Sequence, residues 1–400
     1  MTDPLGASQV MPYLFGLSNL GHEISLLSFE KKDRYLQGKA AVEKLLSDSS
    51  ISWFPELYTS KPPVLSTLKD LRVAKKRSVK ILKEKNIQCV HCRSYISALV
   101  GLYLYKIASV PFIFDMRGFW ANERVDGKIW SLKNPAYRLI YNYFKKKEIA
   151  FLLKSTHIIS LTQAGKNEIM QWDIPGLVKE KITVIPCCTD TEVFKPLEDD
   201  SIKSTVHKQL QIAADQMVLS YLGSFGTWYM AHEMFDFFKV FLKTYPEAVF
   251  LIITRDAPES ILQLAAGQGI SEKNIRIISA TRNEVPALLS VSHANLFFIK
   301  PAYSKKASSP TKMGESLSMG IPVICNDGIG DCTQMLQQGN CGIVVHSFDE
   351  ESYEMAVSKF PLLIGQPKND IRSLALSELD LRTGIQRYQA IYSSIEKSLK

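Results

Sequence analysis

The sequence predicts an α/β protein built as two doubly wound, parallel-sheet domains. Three observations carry this. At 400 residues the chain is long enough for two cores of ordinary size. Short apolar runs alternate with helical segments, most regularly at 248–254, 261–266, 275–279, 285–290 and 294–299, the pattern of parallel strands joined by crossover helices. Glycine-containing turns follow several of those runs, at Gly118, Gly223 and Gly328, where such a domain presents its ligand-binding loops.

Composition narrows the class of function. A hydrophobic fraction of 46% with 22% charged residues describes an ordinary globular chain and excludes a disordered one. The formal charge of +8 and a pI near 8.9 point to anionic partners: sugar nucleotides, phospholipid headgroups or nucleic acid. No RNA- or DNA-reading motif is present, so no nucleic-acid partner is expected. Seven scattered cysteines fit a reducing compartment better than a disulfide framework. Cys89-Val90-His91-Cys92 invites a zinc reading, but it lies in a strand-like run with no second ligand pair, and no metal is expected. No signal peptide and no membrane-spanning apolar run is found, so the expected location is the cytoplasm, with peripheral attachment at the inner face of the membrane as a further expectation.

The chain opens on a turn, Asp3-Pro4-Leu5-Gly6, running directly into a helix. In a doubly wound domain that turn should follow a first central strand. None precedes it, so the first strand is read as missing from the sequence given; the alternative is a fold that tolerates the loss. A helix over 9–20 ends at Gly21, and 24–29 is a strand. His22 reads as a structural turn residue. Residues 66–85 form a basic helix with a narrow apolar face (Leu68, Leu71, Ala74, Leu82), either a solvated surface or a contact with an anionic membrane. Strands at 88–91 and 111–115 flank a core helix. The segment after the second, Met116 to Arg124, lies where ligands bind. Residues 134–154 read as a long helix with Lys145, Lys146 and Lys147 exposed. A strand at 157–160 and Thr162 as the cap of a helix over 163–171 follow. The strand 182–186 ends the first domain.

Residues 197–215 are polar and loosely helical, suited to an interdomain connection. The first strand of the second domain is 218–222. After it comes Gly223-Ser224-Phe225-Gly226-Thr227-Trp228, a strand-to-helix turn whose glycines let a phosphate approach backbone N–H groups. Trp228 reads equally as a sugar platform or as hinge cover. Arg255, directly after a strand, is a candidate diphosphate ligand; Lys300 and Lys306 are further phosphate candidates, while Lys305 is read as solvated. The tail, 374–400, reads as helical.

The most informative stretch is Ser308 to Pro322. Pro310 suits the first turn of a helix, and Gly320 stands where a C-terminal cap belongs. The N-terminus of that helix offers free N–H groups and a positive dipole end; Lys312 adds a full charge, and Glu315 follows about one turn on. A phosphate together with a hydroxyl-rich group such as a ribose would fit those partners.

Pro310-Thr311-Lys312-Met313-Gly314-Glu315 resembles the donor-binding loop of family 4 retaining glycosyltransferases, in the branch with a Pro-Thr-Lys-x-x-Glu loop. The family's usual first glutamate would fall at Ala307 and is absent. The resemblance extends over nearly the whole chain: Asp3 to Gln9, the Gly21-His22 turn, Arg117-Gly118-x-Trp120-x-x-Glu123, and Pro186, Asp190, Phe194 and Pro196 in register. It implies the GT-B fold, two Rossmann-like domains facing a central cleft. The expected boundaries are 1–195 for an acceptor-binding domain, 196–215 for the linker, 216–373 for a nucleotide-sugar domain, and 374–400 for a helix crossing back to the first domain.

The function implied is retaining, metal-independent transfer of a sugar from a nucleotide diphosphate sugar, UDP- or GDP-linked, to a glycan or lipid-linked acceptor in cell-surface polysaccharide synthesis. No cofactor is implied, the nucleotide sugar being a co-substrate. The donor would be held by Gly223, Ser224, Gly226, Thr227, Arg255, Lys300, Thr311 and Lys312, with Glu315 on the ribose. Arg117, Asp115 and Glu123 are the catalytic candidates. Arginine stays charged, so Arg117 would stabilise negative charge rather than act as a base; an ion pair of Arg117 with either carboxylate is the alternative use of these residues. Gly6 and Trp120 are the acceptor-side candidates, and an anionic membrane surface is a further partner. The rival functions are a GT-B sugar-nucleotide epimerase and a non-catalytic sugar-nucleotide or membrane-binding protein.

Overall fold

The computed structural model describes residues 1–399; Lys400, the last residue of the expected C-terminal helix, lies outside them. The chain forms two compact α/β units. One is Met1–Pro186 together with the residues from Leu381 on, and the other is Cys187–Asp380. The predicted two-domain parallel α/β class is what the chain adopts.

In the first unit β1 (Ile24–Glu30) pairs in parallel with β2 (Ile51–Leu57). Pro55 sits inside β2 opposite Ser28, and a residue without an N–H is at home on an edge strand. A separate parallel sheet runs β3 (Val90–Arg93), β4 (Phe112–Asp115), β5 (His157–Ser160), β6 (Ile182–Val184). Among the described residues β1 pairs only with β2 and β3 only with β4, so these strands form two sheets rather than one. All four residues of β4 are buried, as expected of a parallel strand covered on both faces. The cap read from sequence is present, Thr162 Oγ1 accepting from Gly165 N at 2.9 Å; Asn134 caps the preceding helix in the same way, its Oδ1 accepting from Ala136 N.

The second unit has β7 (Val218–Leu222), β8 (Val249–Ile253), β9 (Ile275–Ile278), β10 (Ala294–Phe297), β11 (Val323–Asn326) and β12 (Gly342–Val345), all parallel, in the order β12-β11-β10-β7-β8-β9. Strand order reverses between β7 and β10, the switch point at whose carboxyl ends ligands bind in open α/β sheets. Its core is dense in aromatics, with Phe235, Phe237, Phe238, Phe241 and Phe250 fully buried.

Two expectations are corrected here. Residues 196–215 are not a loose linker: Asp200–Leu210 is a helix of the second unit, capped by Asp199 and packed through Val206 and Leu210. The C-terminal segment is not one helix from 374. Lys368–Glu378 and Leu381–Leu399 are separate, because Leu379 O accepts from Thr189 N at 2.7 Å and the Asp380 carboxylate accepts from Thr191 Oγ1 at 2.7 Å. The 189–191 segment thus claims the groups at which one helix ends and the next begins.

Candidate functional site

The second unit gathers its polar cluster at the carboxyl ends of β7 and β10. Gly223 leaves β7 with φ +116°, a conformation that needs glycine, and its N–H stays on Ile253 O at 2.9 Å. The loop beyond is tied from both sides. Tyr221 OH donates to Ser224 O at 2.7 Å, and the Asp256 carboxylate accepts from Ser224 Oγ and Phe225 N, both at 2.7 Å. It then zips onto the chain beyond β10: Tyr229 bridges Ile299, and Lys300 N donates to Trp228 O at 2.9 Å. Asn326 holds the other side of that segment, taking Ile299 N at 2.8 Å and giving to Ile299 O at 2.9 Å.

The helix Thr311–Ser318 starts at this point. Pro310 is its extended N-cap rather than its first-turn residue, and no side chain caps the N-terminus. Lys312 is only 6% exposed, and its Nζ has no hydrogen-bond partner among the described residues. The ammonium lies over the rings of Tyr229 at 3.6 Å, Tyr221 at 4.0 Å and Phe297 at 5.8 Å. A Cβ added to Gly223 would stand 3.4 Å from that Nζ. Burial holds the Lys312 pKa well below the ordinary lysine value, with Glu315 opposing. The rings stabilise the ammonium in part. A nearby anion would supply the missing charge pairing.

Glu315, also 6% exposed, receives Arg282 Nη1 on Oε1 at 2.8 Å. Arg282 stands beyond the carboxyl end of β9 with its guanidinium 4.9 Å from the centre of the Phe194 ring. Gly314 allows the 187–191 segment to lie on this helix: a Cβ there would meet Thr189 Oγ1 at 2.6 Å. That segment is shaped by Asp190, whose Oδ1 accepts from Glu192 N at 3.0 Å and Val193 N at 3.2 Å, and Cys187 N donates to Ser309 Oγ at 3.1 Å.

The donor candidates named from sequence therefore separate. Lys312 and Glu315 are buried, with Gly223 half-buried beside Lys312 and Thr311 half-buried at the helix start. Ser224 is spent on Asp256, and Gly226 and Thr227 are exposed on the loop. Arg255 is exposed in the turn after β8, where its neighbour Asp256 makes the loop contacts; Lys300 is half-buried and joins through its backbone. Lys305 is a correction. It is 5% exposed rather than solvated, and its Nζ lies 3.6 Å from the centre of the Trp228 ring.

In the first unit Asp115 ends β4 at 1% exposure. Its Oδ2 is 3.3 Å from His91 Nε2, 3.2 Å from Tyr388 OH and 3.6 Å from Arg93 Nη1, and its Oδ1 is 3.9 Å from Arg117 Nη1. Burial works against the charged carboxylate, but Arg117, His91 and Arg93 outweigh it and hold the pKa at about 2. Asp115 is thus ionised at neutral pH and carries no proton to give. Arg117 follows in a left-handed turn with φ +55°. Trp120 stacks on Tyr95 at 5.7 Å and meets Trp130 and Phe144 edge-on, so most of its ring is packed within the unit. Glu123 is half-buried on the helix Trp120–Asp126. Gly6 is buried, and a Cβ there would stand 2.8 Å from Met1 Cα.

Sequence reasoning missed Arg282, Tyr221, Tyr229 and Tyr388. Each reaches its cluster from a separate strand end or helix, and no local spacing announces it. Among the described residues no group of three or more His, Cys, Asp or Glu could hold a metal, and Cys89 and Cys92 are free thiols whose pKa values are raised by burial.

Comparison with known proteins bears on the family and the fold. Residues 13–193 match the model described as Glycosyltransferase Family 4, and residues 202–363 match Glycosyl transferases group 1. No curated protein matches. Among solved structures, a glycosyltransferase from Rickettsia africae is 17% identical over 98% of this chain and 97% of its own, with a TM-score of 0.71. Anabaena HepE, solved with UDP, is 14% identical over 98% of both chains, with a TM-score of 0.68. WaaG, described as a glycosyltransferase involved in lipopolysaccharide biosynthesis, is 15% identical over 96% of this chain and 94% of its own, with a TM-score of 0.62. At these identities the likeness is one of fold, and it is the GT-B fold. The two family models together cover most of the sequence, and the chain belongs to the glycosyltransferases, with a family 4 segment followed by a group 1 segment.

Proposed function

We propose that the protein transfers a sugar, with retention and without a metal, from a UDP- or GDP-linked donor to a glycan or lipid-linked acceptor in cell-surface polysaccharide synthesis. One observation carries the donor half: a buried lysine without a hydrogen-bond partner among the described residues, Lys312, at an uncapped helix N-terminus on the β7/β10 switch point. A diphosphate placed there meets the Lys312 ammonium, the first N–H groups of the helix and the Gly223 turn. Glu315 takes the ribose. As the glycosidic bond breaks, charge gathers on the leaving diphosphate, and preorganised cations and N–H groups stabilise it. HepE, which has the same fold, has been solved with UDP and with UDP-glucose. Arg117 is assigned the acceptor side as a fixed positive charge, with Asp115 as its anchor.

A basic surface in the first unit supports a lipid-linked acceptor. Residues 127–147 contain six basic residues and no acidic one. Within that stretch Ile129, Leu132, Leu139 and Tyr143 are exposed, Leu139 at 73%. Exposed apolar groups among lysines suit the interface of an anionic membrane, where each basic residue adds about 1 kcal/mol. No helix among the described residues is long and apolar enough to cross a membrane, and a peripheral position on the cytoplasmic face is the location proposed.

The test is incubation with UDP- and GDP-sugars and analysis of the products by anomeric NMR. Transfer with retained configuration supports the reading. A free epimerised sugar nucleotide would assign the pocket to an epimerase instead. Binding without turnover across a donor and acceptor panel would leave a sugar-nucleotide binding protein.

A further inference from the structure

The glutamate assigned to the ribose does not stand alone. Arg282 Nη1 lies 2.8 Å from Glu315 Oε1, and among the described residues this is the only hydrogen bond the carboxylate makes. The Glu315 side chain is 8% exposed and that of Arg282 33%, so the pair is sheltered on the glutamate side and open on the arginine side. Arg282 is itself held. Its guanidinium rests against Phe194, which is 1% exposed. Its loop is fixed by Glu284, whose Oε2 accepts from Thr281 N and Thr281 Oγ1, both at 2.7 Å. One carboxylate oxygen is therefore bound by a braced cation, while the other has no hydrogen bond from the described residues.

A vicinal diol needs such an oxygen: an acceptor fixed in direction and not already taken. We propose that Arg282 is the positioning residue of the ribose site. By holding Glu315 on one oxygen it aims the other, and so sets the preference for ribonucleotides over 2′-deoxyribonucleotides. This rests on the donor reading of Glu315 given above. Arg282 acts through Glu315, and the ribose hydroxyls meet the glutamate.

The experiment is calorimetric titration of the wild type, Arg282→Ala, Arg282→Lys and Glu315→Ala with UDP, GDP and their 2′-deoxy counterparts, with a melting temperature for each variant. The wild type is expected to favour the ribonucleotide about 10-fold or more, the size of one hydrogen bond to a charged group. Arg282→Ala should lose that preference by weakening the ribonucleotide, while the deoxynucleotide keeps its affinity to within about 3-fold. Arg282→Lys, which keeps the charge without the fork, should recover part of it. A merely structural role would weaken both nucleotides alike and leave the ratio intact, and that result would overturn the proposal. If Glu315→Ala abolishes the preference while Arg282→Ala keeps it, the ribose reading stands and the role of Arg282 falls. A ratio unchanged in Glu315→Ala, or no nucleotide bound by the wild type, removes both.

Discussion

The ammonium of Lys312 lies 3.6 Å from the centre of the Tyr229 ring, inside a box closed by Tyr221 and without a hydrogen-bond partner among the described residues. Burying a cation in this way costs free energy that the aromatic faces return only in part. If the box takes the diphosphate as proposed, function and stability oppose each other there. Replacing Lys312 by methionine should raise the apparent melting temperature of the ligand-free protein, by an amount equivalent to roughly 1–3 kcal/mol. The same variant should lose the stabilisation that UDP or GDP gives the wild type. Thermal melts with and without nucleotide read both effects at once; a variant that melts lower and still responds to nucleotide would exclude Lys312 as the phosphate ligand.

The depressed pKa of Lys312 has a definite sign in stability. Between its native pKa and the unfolded value of 10.5 the unfolded chain binds the extra proton, so stability gains a positive slope with pH in that window. Chemical denaturation across alkaline pH should show a more positive slope in the wild type than in Lys312→Met, against the opposite contribution that the buried thiols make in both. Diphosphate binding should also take up a proton wherever free Lys312 is partly neutral, and titration in buffers of different ionisation enthalpy would reveal it.

His293 acts at the acid end. Its Nδ1 accepts from Val218 N at 3.1 Å, which requires the neutral ring, and burial with Lys203 and His207 nearby holds its pKa at about 4. The folded value lies below the unfolded one, so stability falls as pH drops from about 6.5 towards 4, by at most about 3 kcal/mol. Urea titrations of the wild type and His293→Gln at pH 7 and pH 4.5 should differ in slope. Equal acid sensitivity in the two would show that His293 titrates normally.

Asp115 anchors polar groups on several elements: His91 and Arg93 on β3, Arg117 after β4, and Tyr388 on the Leu381–Leu399 helix. Removing its carboxylate leaves two arginines facing an apolar side chain, so Asp115→Ala should destabilise the protein by roughly 3 kcal/mol. Tyr388→Phe removes one hydrogen bond and should cost about 1 kcal/mol. If Asp115→Ala loses transfer activity with no change in melting temperature, the residue meets substrate directly and is not an anchor.

Of the three lysines expected to be exposed only Lys146 is; Lys147 is half-buried, and Lys145 is half-buried and paired with the buried Glu148. Reversing the exposed Lys133, Arg138 and Lys146 to glutamate should weaken binding to phosphatidylglycerol vesicles strongly, at about 1 kcal/mol for each basic residue removed from the surface. Vesicle sedimentation at two salt concentrations checks it. Unchanged binding would overturn the proposal that this surface meets a membrane.

How far the sequence could be read followed the range of the interactions. Capping by Thr162 is local, and it was legible. The helix Thr311–Ser318 was legible because proline, lysine, glutamate and glycine punctuate it within a dozen residues. Strand β2 and the helix Lys32–Leu46 were not, because Pro55 interrupts the one apolar run and charged residues dilute the other. The partners of Glu315 and Lys312 were invisible for a different reason. Arg282 is 33 residues from Glu315, and Tyr229 is far earlier in the chain than Lys312; only the parallel sheet order brings them together. Lys305 was misjudged because a lysine in a loop is ordinarily solvated, and its burial depends on Trp228 from another loop.

The most direct test of the donor site is calorimetric titration of the wild type and Glu315→Ala with UDP, GDP, ADP and CMP. The expected result is one tightly bound nucleoside diphosphate, UDP or GDP, whose affinity falls about 10-fold or more in the variant, as loss of a charged hydrogen bond to the ribose requires. A wild type that binds none of the four, or a variant that binds the same diphosphate equally well, would contradict the assignment of the Lys312–Glu315 helix as the donor site.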